Sequence, residues 1–373
     1  MFKSHKLIDL GKAFVNGFIN WVSFNEEIGE IVDKLNQAIE EPPVKLGHRH
    51  ISHPGGFGRE FSRRRLSMAE AYIIITNLHD PELYEIRLQA LRTLMEQSMH
   101  AKTVTMPINT ARVQIYLIKE AIKSQGDRRR QMELVADFGH ASFGNEALIR
   151  KFLKDYGLIE VPEEGKALKT LDLGWDDHVH DSLTEGRKTP TRVLIDAFVK
   201  GLSRITLLYN SLDDENMISE AISAGEILGI TVEIGFEFSV GPGGNRRHYL
   251  YVPPLFRRSR DLLAFLKDHQ EGLASFREGL QKNVENRYKC IISVLKQFNE
   301  VHLPKLNEEF SSDSACWFAP LTEQELHKIV AFGQPSREHL SELLFERFKK
   351  VFLNRVLYFK AQVMSAEKRF HKG

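Results

Sequence analysis

Cysteine is scarce: the 373 residues hold two, Cys290 and Cys316. They are too few and too far apart for a disulfide framework or a Cys-x-x-Cys metal site, and they suit a reducing cytoplasm. No apolar run approaches the length of a membrane span. The N-terminus lacks the unbroken apolar core of a secretory signal, because Asn16, Gly17 and Asn20 interrupt it. Charge of one sign is also lacking. The 51 basic and 50 acidic residues give no global reason to expect nucleic acid or an acidic surface as partner. Gly55, Gly56 and Gly58 are not followed by the Gly-Lys-Ser/Thr ending of a phosphate-binding loop. What is present, 42% hydrophobic and 27% charged residues, is ordinary for a globular protein and speaks against disorder.

Residues 1–165 read as a helical N-terminal domain. Phe14, Phe18, Trp21 and Val22 form one stripe behind Lys3, Lys6 and Lys12, a pattern of a core-packed helix more often than of a membrane-surface one. Apolar residues at three and four spacing predict helices over 81–99, 109–123, 128–138 and 145–156. Between the first helices lie His48, His50 and His53, close to Arg49, Arg59 and Arg63–Arg65. Surrounding cations would repel a metal, so this segment reads as a solvated basic loop. Gly157 and the stretch 162–165 mark the boundary before a second region.

That region, 166–255, carries the chemistry. The apolar stretch 171–175 runs into Asp176-Asp177-His178-Val179-His180. In an extended segment, side chains two apart share a face, so His178 and His180 can present two imidazoles to one ion, with Asp176 a third candidate on the same side. The bland alternative is a pair of exposed polar residues in a loop. An acidic loop follows, then Thr189 as N-cap and Pro190 as first residue of a helix. Strands are expected over 205–209 and 230–240, with a helix between them stopped by Gly229. Strand, helix, strand, helix, strand in order predicts parallel strands with right-handed crossovers. Ligand sites in such units gather at the carboxyl ends of strands, where His178, His180, Tyr209, Asn210 and Glu237 fall.

On these residues the segment 176–251 resembles the PHP (polymerase and histidinol phosphatase) superfamily of metal-dependent phosphoesterases. The first family mark is matched by Asp176, His178, His180, Glu185, Gly186, Thr189 and Pro190; the third by Leu228, Gly229, Ile230, Gly235, Glu237 and Ser239. His248 resembles the His that returns on the family's hairpin. The second mark departs: Leu208-Tyr209-Asn210 stands where the family has Thr-Asp-His, and no late Asp-x-His follows Pro254. The resemblance implies an α/β fold, a distorted TIM-like barrel, incomplete in this chain. It implies that His178, His180 and Glu237 hold one divalent ion, that Glu237 and His248 contribute to a second, and that Glu185 serves a third. Zn, Mn or Fe suits such ligands. Arg246 and Arg247, beside the site, are candidates for contact with a phosphate.

Beyond 256 the chain turns helical, with helices expected over 257–268, 276–298, 322–330 and 337–367. Three or four strands do not close a barrel of about seven, so the chain is expected to be the front portion of a longer polypeptide; the alternative is that helices close a reduced barrel. Two functions follow: hydrolysis of a phosphorylated small molecule or nucleotide end by metal-activated water, or a degenerate scaffold or regulatory module that keeps the fold without turnover.

Overall fold

A computed structural model describes residues 26–43, 57–99, 105–163, 174–212, 215–241, 247–253, 256, 258–312, 314–330 and 333–370. The stripe at Phe14 to Val22, the His48–His53 loop and the expected boundary at 165 lie outside the described residues.

The fold is mixed α/β, mostly helical. Helices α1 (Glu26–Glu40), α2 (Phe57–Asn77), α3 (Tyr84–Ser98), α4 (Pro107–Lys123), α5 (Arg128–Ala141) and α6 (Glu146–Asp155) come first. Then strands and helices alternate: β1 (Trp175–Val179), α7 (Pro190–Lys200), β2 (Arg204–Tyr209), α8 (Glu215–Leu228) and β3 (Thr231–Val240), with β4 (Arg247–Tyr251) returning as a hairpin arm. The four strands form one sheet in the order β1-β2-β3-β4. β1, β2 and β3 are parallel and β4 is antiparallel to β3.

Alternation divides the two faces of this sheet. Ile205, Leu207 and Tyr209 of β2, with Val232, Ile234 and Phe236 of β3, belong to the buried apolar core shared with α7 and α8. The residues between them, Thr206 opposite Glu233 and Leu208 opposite Gly235, turn to the other face, as does Glu237 two residues further along β3. There the Thr206 hydroxyl donates to Glu233 at 3.1 Å. One face therefore supplies stability, at about 1.5–3 kcal/mol per large apolar side chain buried, and the other is left free to carry polar groups.

The core runs across the expected boundary at 165. Ile73, Leu91 and Ile115 of the N-terminal helices belong to the same buried set as Leu194, Leu207, Ile218 and Ile234, and it extends to Leu280. Two buried arginines reinforce the join. Arg87 of α3 pairs with Glu220 of α8 at 2.6 Å, both side chains fully buried. Glu220 also accepts from the Thr191 amide at 3.2 Å and its hydroxyl at 2.5 Å. The carboxylate thus sits at the N-terminus of α7, where a negative charge is favoured by the helix dipole. It takes the place expected of Thr189, whose hydroxyl is buried and makes no capping bond. Pro190 does open the helix.

At the other end of α7, Arg112 of α4 donates to the carbonyls of Phe198 (3.0 Å) and Val199 (2.9 Å). Burial draws its pKa down to about 10, against the opposing effect of Glu163, so it stays cationic where the helix dipole is negative. Gly201 ends α7 at φ 86°, a conformation that a Cβ would strain. Charges of the right sign, Glu220 from α8 and Arg112 from α4, thus hold the two ends of α7.

The C-terminal region contains α9 (Ser259–Asp268), α10 (Gln270–Gln297), a π turn (Phe298–His302), α11 (Leu303–Asn307), α12 (Glu323–Val330) and α13 (Arg337–Phe370). Phe276 near the start of α10 packs edge-on against Phe236 and Phe238 of β3, with centroids at 5.6 and 5.8 Å. The distal part of α10 packs with α12 and the start of α13 around Ile291, Leu295, Leu326 and Leu340. A second small cluster joins Leu303, Phe318 and Val351. Beyond Val351 the residues of α13, Leu353, Leu357 and Val363 among them, are largely exposed. Among the described residues no helix is long and apolar enough to cross a membrane.

Removing the cationic partner of a fully buried carboxylate leaves an uncompensated charge. Arg87→Ala is therefore expected to lower stability by about 3–5 kcal/mol. Urea unfolding followed by circular dichroism checks it. Because the core is continuous, the strands and the N-terminal helices should unfold in one transition.

Candidate metal centre

His178 ends one residue before the close of β1, and His180 follows the strand directly. Across the sheet, Glu237 occupies the polar face of β3 near its carboxyl end. The structure brings these three together. His178 Nε2 and His180 Nε2 are 3.3 Å apart, His180 Nε2 is 3.2 Å from Glu237 Oε2, and His178 Nε2 is 3.9 Å from the same oxygen. A tetrahedral ion with bonds of about 2.0–2.1 Å separates its ligands by about 3.3 Å. Two of the three separations match that figure, and the third, His178 to Glu237, is longer at 3.9 Å.

Two further observations fit a cation. Glu237 Oε2 is buried and makes no hydrogen bond, an expensive condition for an acceptor unless something else compensates it. And the tautomer of His180 is fixed: its Nδ1 lies 3.1 Å from the Leu208 carbonyl, which can only accept, so Nδ1 carries the proton and Nε2 presents a lone pair to the cluster. The Thr184 hydroxyl, 3.0 Å from the same Nδ1, braces the ring from the loop side. Two ligands are enclosed, with His180 at 17% and Glu237 at 7% exposure, while His178 at 53% leaves one side open to water.

Asp176 does not join them. The pairing of β1 with β2 takes Asp176 opposite Ile205 and Val179 opposite Leu207, so β1 has one residue more over this stretch. That bulge breaks the two-residue alternation. Asp176 instead accepts from the His178 amide at 3.2 Å.

Glu237 is a divided carboxylate. Oε2 faces the two imidazoles; Oε1 meets His248 Nε2 at 2.6 Å and a guanidinium nitrogen of Arg287 at 2.8 Å. His248 comes from β4, opposite Ser239, whose hydroxyl is 3.2 Å from its Nδ1. Arg287 comes from α10 and also pairs with Glu185, which is thereby drawn to the guanidinium and lies outside the trio. Burial raises the Glu237 pKa, but His180 and Arg287 outweigh it and hold the carboxyl down at about 2. For His180 burial works downward and is overcome by Glu237 and Glu185, so its pKa lies above the ordinary 6.5.

The second motif is committed elsewhere. Tyr209 donates to the buried Asp181 carboxylate at 2.6 Å. Burial pushes the Asp181 pKa up to about 7, against the lowering effect of the Tyr209 hydroxyl. Asn210 donates to Gln334 at 2.7 Å, and Gln334 in turn donates to the Val284 carbonyl at 2.9 Å. These bonds tie β2 to α10 and to the segment before α13. Gly333 in that segment lies so close to the Ser182 and Leu183 carbonyls that no Cβ fits there, and its φ is 82°.

Beside the trio a cleft of about 640 Å³ opens between the β1–α7 loop, α10 and the start of α13. Its walls include His180, Glu185, Arg287, Ser336 and Arg337. Arg247, expected as a phosphate contact, lies on exposed β4 opposite Val240 and is not on these walls; Arg246 lies outside the described residues. Of the other basic clusters, Arg128 pairs with Asp33, and Arg129 and Arg130 with Glu133. Sequence reasoning missed Arg287, Gln334 and Asp181. Arg287 sits in a long amphipathic helix 102 positions from Glu185, and nothing in its neighbours marks it.

No family model, curated protein or solved structure matches this chain. The site is thus described by its own geometry.

Metal binding at these residues must displace protons from the imidazoles. With His180 shifted above 6.5, the affinity for Zn²⁺ or Mn²⁺ is expected to fall as pH drops from 8 to 6, by up to about tenfold per unit for each imidazole that loses a proton. Calorimetric titration in buffers of different ionisation enthalpy reads both the affinity and the protons released.

Proposed function

We propose that this chain is a metal-dependent phosphoesterase of PHP type, acting on a phosphorylated small molecule or a nucleotide end. The observation that carries the reading is the meeting of His178, His180 and the buried Glu237 Oε2, at separations of 3.3, 3.2 and 3.9 Å, beside an open cleft. Two imidazoles and a carboxylate suit Zn, Mn or Fe. When bound, such an ion supplies a water acidified toward neutral pH and charge to offset phosphoryl oxygens.

The chain's own residues prepare that site. Leu208 and Thr184 hold His180 in the ligating tautomer. Arg287 and His248 keep Glu237 oriented by engaging its other oxygen. Arg287 and Arg337, on the cleft walls, provide guanidinium groups whose planar forks match phosphate oxygens. Arg287, though paired with two carboxylates, remains partly exposed. The parallel β/α order, the polar sheet face and the hairpin return of His248 all support the family reading. The free thiols of Cys290 and Cys316 support a reducing, cytoplasmic setting.

The second reading, a scaffold that keeps the fold without turnover, draws on one observation. Tyr209 and Asn210 are spent on bonds to Asp181 and Gln334, so neither is free to serve an ion.

Metal analysis and hydrolysis of an aryl phosphate separate the possibilities. The purified chain is expected to hold a transition metal and to hydrolyse the ester. A variant with His178→Ala and His180→Ala should lose both. Metal retained without hydrolysis favours the scaffold; a chain that takes up no metal on reconstitution removes the phosphoesterase reading and leaves the scaffold.

A further inference from the structure

The donor set around Glu237 is larger than one ion needs. Besides the oxygen that faces His178 and His180, Glu237 offers Oε1, which meets His248 Nε2 at 2.6 Å and which Arg287 links to the Glu185 carboxylate. Carboxylates and imidazoles are the groups a second divalent cation would use. What lies between the two carboxylates is the guanidinium of Arg287, bonded through one nitrogen to Glu185 and through the other to Glu237 Oε1 at 2.8 Å.

We propose that Arg287 is a built-in replacement for a second metal ion, so that the centre binds a single divalent cation at His178, His180 and Glu237. The inference rests on the metal reading above and adds its stoichiometry. Three features carry it. The guanidinium uses both terminal nitrogens on the two carboxylates a second ion would require, and a dication placed beside it would meet direct repulsion. The planar fork of rigid donors lets one cationic group bond both carboxylates at once. And its helix is anchored on both sides of the residue: before it, Val284 accepts from Gln334, itself bonded to Asn210, and Phe276, about 16 Å back along α10, packs on β3; after it, Ile291 packs with Leu326 and Leu340. The guanidinium is thus fixed in place by the fold.

The same arrangement leaves the neighbouring cleft with a fixed positive charge beside an exchangeable one. A phosphate ester seated there would meet one metal ion and one guanidinium, in place of two ions.

Counting bound Mn²⁺ or Zn²⁺ per chain after gel filtration tests the proposal. Wild-type protein should retain one ion. Arg287→Met, which keeps the bulk and removes the charge, should retain two, and adding Glu185→Gln to it should return the count to one. Arg287→Lys should stay at one ion. Should the methionine variant not fold by circular dichroism, Arg287→Gln provides the same count. A folded Arg287→Met or Arg287→Gln chain that still retains one ion overturns the proposal, and so does a wild-type chain that retains two. Wild-type protein that retains none removes the metal reading itself, whereas one ion in both wild type and variant removes only the role given to Arg287.

Discussion

Glu237 carries its charge in a place that water scarcely reaches, and much of the centre of the molecule is arranged to keep it charged. Taking a carboxylate out of water costs several kcal/mol unless partners compensate. The partners come from three parts of the chain: His178 and His180 from β1 and its end, His248 from the hairpin arm, and Arg287 from α10. Each arrives by a different piece of chain geometry. The parallel pairing of β1, β2 and β3 sets the strand ends side by side, the antiparallel return of β4 folds His248 back over β3, and the packing of Phe276 aims α10 across the mouth of the sheet. The two oxygens of one carboxylate then see different surroundings, the imidazoles of His178 and His180 on one side and His248 with Arg287 on the other.

Inward-reaching arginines recur as the means by which helices grip the β/α unit. Arg87 reaches Glu220, Arg112 reaches the last turn of α7, and Arg287 reaches Glu185 and Glu237. Arginine suits the task because several rigid donors satisfy several acceptors at once, which offsets the cost of burial. In each case the acceptor is itself fixed by other bonds: Glu220 by Thr191, the α7 carbonyls by the helix, Glu237 by His248. The N-terminal helices and the sheet therefore share polar joints as well as an apolar core.

Much of the central unit was legible in the sequence, because its signals are local. The alternation in 204–209 and 231–240, Pro190 at a helix start, and Gly201 and Gly229 at helix ends each follow from neighbours within a few residues. The approach of His178, His180 and Glu237 could be read from strand ends once the strands were taken as parallel. Asp176 was misplaced because a bulge shifts parity, and nothing in Asp-Asp-His-Val-His announces which residue is extra. Thr189 was expected to cap α7, but a carboxylate thirty-one positions on the chain away, Glu220, does so. Tyr209 and Asn210 were recognised as departures, while their partners Asp181 and Gln334 were not, since those bonds depend on how loops lie against one another. Arginine is a surface residue by default, and a sequence gives no sign that Arg87, Arg112 or Arg287 points inward.

The π turn at Phe298–His302 changes which side of the long C-terminal rod can be buried. A regular helix carrying the seam of Ile291, Leu295 and Phe298 onward would bring His302 to the same side. One extra residue in the turn advances the phase by about 100°, so Leu303 enters the seam and His302 is left in water. Phe298 stands at the change of phase and touches both clusters, the one around Leu326 and the one around Phe318. A single inserted position thus lets one continuous rod serve two small interiors in succession, and deleting one residue within the turn would rotate every later side chain of α11 away from the partners it now meets.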